Sequence, residues 1–330
     1  MRPPSAGWKH GGVVERVVEV ARRLAEEVLL PDAEAVDAAD RVPGAHLAAL
    51  DAAGITGLAA RGPSLEVRVD VTAALAGGCL ATAFVWLQHQ GALGPVAAAP
   101  GPVSAFAPDL AAGRIRAGVV ITAVHGPDPL RLSGPPAARR LNGSARWVSA
   151  WGLADVFRIA AVDEDGSVVT LLADVGPGMR AEPAGLVAAN ASGTVTLAFD
   201  DVPVAEERII ERVRPESWAA ADAAGLAGNG ALALGVAGRA AVALRSDALV
   251  SAVAAARGAL LAADVAALPA ARAACSALAV RAASALAVHD GGSGVLRGSR
   301  SDRLLREAHL LLGFGSRPAI RAALLDRLGA

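Results

Sequence analysis

The chain has no tyrosine, a single lysine (Lys9), two cysteines and only 3% aromatic residues. Each shortage removes a chemistry. Without tyrosine no phenol can act as a general acid, and with Lys9 as the only amine, Schiff-base chemistry has one candidate, near a terminus of the kind that is seldom tied down. Cys79 and Cys275 stand far apart in apolar, helical-looking surroundings, which predicts buried free thiols rather than a disulfide or metal ligands. No Cys/His spacing suits zinc and no Gly-x-Ser-x-Gly elbow is present, so neither zinc catalysis nor acyl-serine chemistry is supported.

An excess of charge is missing as well. Basic residues number 31 and acidic ones 32, giving a formal net charge of −1, and the arginines are scattered among the acids. Nothing here drives counterion release, so nucleic-acid binding is not expected. The mean hydropathy of +0.44 comes largely from alanine. The longest apolar stretch, 223–238, contains Asn229 and is shorter than the about 20 residues that cross a bilayer, so no membrane span is expected. No apolar run precedes the first helical pattern, which predicts no secretory signal and a cytoplasmic protein.

What is present is a long globular chain. Its 330 residues, 54% apolar and 19% charged, suffice for a core without staples. Residues 13–30 carry apolar side chains at three- and four-residue steps and read as a helix stopped by Pro31. Helices also follow at about 43–54 and 70–89, with a short one ending at Gly113. The texture then changes. Residues 117–124, 147–150, 156–162, 167–173 and 194–199 read as strands, and Asp165-Gly166 supplies the positive φ of a tight hairpin. After Pro215, helical patterning returns over 224–244, 247–267, 269–288, 301–312 and from Pro318 onward, with Pro269 and Pro318 suited to first turns. The expected class is α+β: an N-terminal helical domain (1–115), a middle β domain (116–212) and a C-terminal helical domain (213–330).

Isolated motifs say little. Gly228-Asn229-Gly230-Ala231-Leu232-Ala233 fits the dinucleotide pattern Gly-x-Gly-x-x-Ala, but no strand precedes it, so small residues at a tight helix–helix contact are expected. Gly291-Gly292-Ser293-Gly294 admits two readings, a phosphate cradle or a helix end. His289-Asp290 reads as a solvated helix end, and His89 and His125 stand alone.

Longer strings carry more. Leu141-Asn142-Gly143-Ser144-Ala145-Arg146-Trp147-Val148-Ser149, followed by Ala154-Asp155-Val156, resembles a central block of the acyl-CoA dehydrogenase flavoproteins. Gly118-Val119-Val120-Ile121-Thr122-Ala123 is similar to the family's flavin-contacting strand. Gly291-Gly292-Ser293-Gly294 with Arg303-Leu304-Leu305-Arg306-Glu307-Ala308 resembles its C-terminal turn and helix. The resemblance covers nearly the whole chain. It implies FAD, contacted by Thr122, Trp147, Ser149, Gly291 and Gly292. It also implies an acyl thioester substrate, an oligomer with shared sites and an electron-accepting flavoprotein partner.

Two departures from the family stand out. Aligning Arg306-Glu307-Ala308 puts Gly315, in Phe314-Gly315-Ser316, where the family's α-proton base is commonly a glutamate. Asp222 is then the nearest carboxylate and the candidate base, its alternative role being a helix N-cap or solvated residue. Between Leu244 and Asp247 the chain skips the family's Arg-x-x-Phe-Gly segment that grips the FAD pyrophosphate. Loss of such a contact weakens binding by about 1.5–3 kcal/mol, and Arg317 is the candidate replacement. Three readings follow: a FAD-dependent acyl-CoA dehydrogenase-type oxidoreductase, a half-site subunit of a heteromeric dehydrogenase, and a flavin monooxygenase of the same fold.

Overall fold

The computed structural model describes residues 11–315 and 317–330, so Lys9, His10 and Ser316 lie outside the described residues. Six α-helices come first: α1 (Gly11–Leu24), α2 (Ala33–Asp37), α3 (Gly44–Ala52), α4 (Leu65–Gly78), α5 (Leu80–Ala98) and α6 (Ala107–Ala111). Eight strands follow: β1 (Ala117–Val120), β2 (Arg131–Ser133), β3 (Arg139–Val148), β4 (Val156–Val162), β5 (Val168–Asp174), β6 (Met179–Pro183), β7 (Val195–Val204) and β8 (Ile209–Val213). The chain ends in α7 (Pro215–Ala224), α8 (Leu226–Ala243), α9 (Asp247–Ala262), α10 (Leu268–Asp290), α11 (Arg300–Gly313) and α12 (Pro318–Leu328).

The strands form one sheet in the order β6-β7-β3-β2-β4-β5-β8, with β1 parallel to β4 off that path. The β4–β5 hairpin turns as expected at Gly166, φ +83°, where the Asp165 carboxylate accepts the Ser167 N–H at 2.9 Å.

Several expected elements differ. The 117–124 strand stops at Val120, where its pairing with β4 ends, and Thr122–His125 is a 3₁₀ turn. The 147–150 strand is the end of β3, which is terminated by left-handed residues at Trp147 (φ +64°) and Ala150 (φ +70°). The single helix at 70–89 is two, broken at an extended Cys79. Its neighbour Gly78 packs closely, since a Cβ there would lie 2.9 Å from the Ala25 backbone, at the π-helical turn Ala25–Leu29 that follows the first helix. Cys79 and Cys275 are free and buried.

The two helical parts also share one body. α4 crosses α8 so closely that a Cβ on Gly77 would meet the Gly235 carbonyl at 3.3 Å, and one on Gly235 would meet the Gly77 nitrogen at 2.8 Å. One apolar core runs through Leu75 of α4, Leu197 of β7 and Leu234 of α8. The Gly228-Asn229-Gly230 string lies inside α8, as a helix-contact motif should, with Gly230 making room for Leu260.

Two stretches, Pro215–Ala243 and Leu268–Val295, are by length and composition long and apolar enough to cross a membrane, with mean hydropathy 1.3 each. Their apolar windows are 67% and 50% buried inside the protein, which is how core helices of a bundle pass the same test.

Candidate functional site

Thr122 is tied to the residue before Trp147. The exposed Thr122 hydroxyl donates to the Arg146 carbonyl at 3.2 Å, joining the 3₁₀ turn to β3. At the next residue the β3–β7 register slips between Ala145 and Val148. Trp147 takes φ +64° there and points its indole outward, 59% exposed. A left-handed non-glycine residue costs about 1–3 kcal/mol and persists only where its surroundings impose it. The result is a large aromatic surface held open beside a hydroxyl, suited to a flat ring system.

Ser149 does not share that open face. It is buried, and its hydroxyl lies 2.8 Å from Thr194 Oγ1, which in turn lies 2.8 Å from Ser192 Oγ. The next residues continue the tie, with Ala150 N–H donating to the Ser192 carbonyl at 2.8 Å and Trp151 N–H to that of Gly193 at 3.1 Å. Ser149 therefore anchors the strand end that presents Trp147.

Gly291 ends α10 with φ +58°, so the helix-end reading is correct for its backbone. The phosphate-cradle reading keeps its space, because a Cβ on Gly291 or Gly292 would meet nothing within 4 Å. Exposed Val295 and Leu296 follow. His289 and Asp290 pair at 3.0 Å on the surface.

A second group lies between α5, β4, α7 and the turn after α11. Asp222 and Arg317, the candidate base and the candidate phosphate contact, are ion-paired with each other. Asp222 is neither an N-cap nor solvated: Arg214 holds the N-cap position of α7, and the Asp222 side chain is only 9% exposed. Arg317 occupies the N-cap position of α12 with its side chain 24% exposed. Gly315, φ +61°, faces Asn229 of α8, whose amide nitrogen would lie 2.6 Å from a Cβ at that position. Arg272, buried on α10, donates to the carbonyls of Leu311 (3.2 Å) and Phe314 (3.1 Å), fixing the turn from behind. Desolvation lowers the Arg272 pKa to about 10.

Sequence reasoning missed Arg158 and Trp218 in this group. Arg158 stands on β4 with its guanidinium 5.6 Å from the centre of the Trp218 ring on α7. Its one signal was a lone arginine within the apolar run 156–162. Where the family segment is skipped, α8 and α9 are joined by a tight turn in which Arg245 has φ +53° and Ser246 accepts the Leu249 N–H at 3.3 Å.

His89, isolated in sequence, is a structural pin. One ring nitrogen, Nδ1, accepts the Ala117 N–H at 3.1 Å, and the other, Nε2, donates to the Leu110 carbonyl at 3.0 Å. Desolvation lowers its pKa to about 4, so the ring is neutral.

Neither a protein-family model nor a curated protein matches the sequence. Solved structures match its shape over the full length. Butyryl-CoA dehydrogenase from Megasphaera elsdenii superposes with TM-score 0.83 at 18% identity, covering 98% of this chain and 100% of its own. A glutaryl-coenzyme A dehydrogenase in complex with glutaryl-CoA gives 0.81 at 19%, covering 98% and 96%. FMN-bound TdsC from Paenibacillus sp. A11-2 gives 0.78 at 17%, covering 95% and 97%. The chain has the acyl-CoA dehydrogenase fold, shared with flavin-binding proteins.

Proposed function

We propose that the protein is a flavoprotein of the acyl-CoA dehydrogenase type, an oxidoreductase that binds FAD and acts on an acyl thioester or a related small molecule. The observation that carries this reading is the strained, outward-facing Trp147 beside Thr122, at the residues where the sequence resembles the family's flavin contacts.

The residues present fit a flavin. Trp147 offers the face for a planar ring, Thr122 a hydroxyl at its edge, and Ser149 braces the strand that presents the indole. Gly291 and Gly292 leave open backbone where a phosphate or ribose can approach, in an oligomer that shares its sites. When bound, the flavin supplies the acceptor for a hydride equivalent. Arg317 reaches an anion only by sharing itself with Asp222, and Asp222 meets a substrate only by sharing itself with Arg317. Electrons leave to an electron-accepting flavoprotein, and the protein works in the cytoplasm.

A second reading, a half-site subunit of a heteromeric dehydrogenase, is favoured by Gly315, which has no proton-accepting side chain and faces Asn229. Incubation of the purified chain with FAD, gel filtration and a visible spectrum test the proposal. A retained flavin band is expected. Loss of all flavin overturns the reading of a self-sufficient flavoprotein and leaves the half-site subunit.

A further inference from the structure

Around Arg158, where β4 meets α7, two buried donors have nothing to donate to. Among the described residues, neither Arg158 Nε nor Trp218 Nε1 has a hydrogen-bond partner. The rest of the guanidinium is thinly served: NH1 reaches the Gly91 carbonyl of α5 at 3.3 Å, and NH2 stands 4.0 Å from Glu211 of β8, a half-exposed carboxylate at the limit of ion pairing. Asp222, the other carboxylate that Arg158 feels, is ion-paired with Arg317. Burial pushes the Arg158 pKa below the usual guanidinium value, because desolvation outweighs these attractions.

Buried polar groups in folded proteins are paired in the great majority of cases, and a buried cation without close partners is expensive. A guanidinium edge and an indole N–H on adjoining elements match an oxygen acceptor of negative charge, since a carboxylate offers two oxygens to a planar fork. Arg158 pairs with Val119 on β1, and that strand ends at the next residue, just before the 3₁₀ turn that opens at Thr122.

Resting on the acyl thioester reading above, we propose that Arg158 and Trp218 bind the terminal carboxylate of a short dicarboxylic acyl thioester, so that this site selects an anionic acyl chain over an aliphatic one. Because the Trp218 N–H is covered in the free protein, the ligand reaches it only if the indole shifts within its small cluster of Ala160, Val168, Ile121, Val124 and Val213.

Calorimetric titration of the FAD-loaded protein with glutaryl-CoA and pentanoyl-CoA, five-carbon chains that differ at the far end, tests this. Glutaryl-CoA should bind about ten- to a hundredfold more tightly, the value of a charge-assisted hydrogen bond. Arg158→Gln should erase the preference, and Trp218→Phe, which keeps the ring and removes one N–H, should reduce it roughly three- to tenfold. Equal binding of the two thioesters, or a preference that survives Arg158→Gln, overturns the proposal while leaving the flavin reading intact. Should neither thioester bind, the thioester reading fails, and glutarate alone decides for the carboxylate site. Binding lost in Trp218→Phe and Arg158→Gln supports it, and no binding to wild type overturns it.

Discussion

Two arginine–carboxylate pairs, one on α11 and one just beyond it, use the same chemistry to different ends. Arg303 and Glu307 pair at 2.9 Å with side chains 1% and 5% exposed, and Arg303 reaches Glu34 of α2 at 3.4 Å. Arg317 and Asp222 pair with side chains 24% and 9% exposed, tying the turn after α11 to α7. The first pair is dry and joins the N-terminal and C-terminal helices. Burial even raises the Glu307 pKa against its own partner, and Arg303 NH2 and Glu307 Oε2 stay unpartnered among the described residues. The second pair is partly wet. Breaking the first leaves a buried charge with only Glu34 near it, whereas breaking the second lets water in. One is a lock and the other a latch.

The largest effect should come at the lock. Glu307→Ala leaves Arg303 buried with only the 3.4 Å contact to Glu34 and should cost about 3 kcal/mol in chemical denaturation. Arg303→Met with Glu307→Leu should recover most of that loss. If the single and double variants are equally unstable, the pair is not what holds α11.

His89 sharpens the contrast, because it is buried in its neutral form with no carboxylate partner. Its folded pKa of about 4 lies below the value of 6.5 for the free side chain. Between these values the unfolded chain binds more protons, so stability is full above the upper value and falls as pH drops through the window. The loss should reach about 3 kcal/mol. His89→Gln should flatten the stability–pH curve over this range, and a curve of unchanged slope would contradict the assignment.

At the latch, Arg317→Ala should weaken FAD by about 1.5–3 kcal/mol if the arginine shares itself with a phosphate, read as a ten- to hundredfold rise in Kd. An unchanged Kd would remove Arg317 from the site. Asp222→Asn should be the mildest change, less than about 1 kcal/mol of stability, since a partly exposed pair gives little back.

The contrast also marks what the sequence could show. Helices with strong periodicity and the β4–β5 hairpin were legible because each is decided locally, by apolar spacing or by an Asp-Gly turn. The break at Cys79 was not, and it lies beside a contact between Gly78 and the distant Ala25 backbone that no local pattern announces. The left-handed conformation of Trp147 was equally hidden: no local residue type announces it, and the register slip against β7 produces it. Thr122 and Trp147 were named by resemblance, and what the structure adds is the tie of Thr122 to the Arg146 carbonyl. That Ser149 turns inward to Thr194, and that Asp222 and Arg317 occupy each other, are tertiary facts joining segments 45 and 95 residues apart. Arg158 was visible only as an oddity in an apolar strand.

The central claim is that the Thr122–Trp147 end of the sheet holds a flavin. Equilibrium titration of FAD into the purified wild-type chain and a Trp147→Ala variant tests it most directly. The account predicts saturable binding to wild type and roughly tenfold weaker binding to the variant, the scale of a stacking contact worth about 1–3 kcal/mol. No saturable binding, or the same affinity in both proteins, would contradict it.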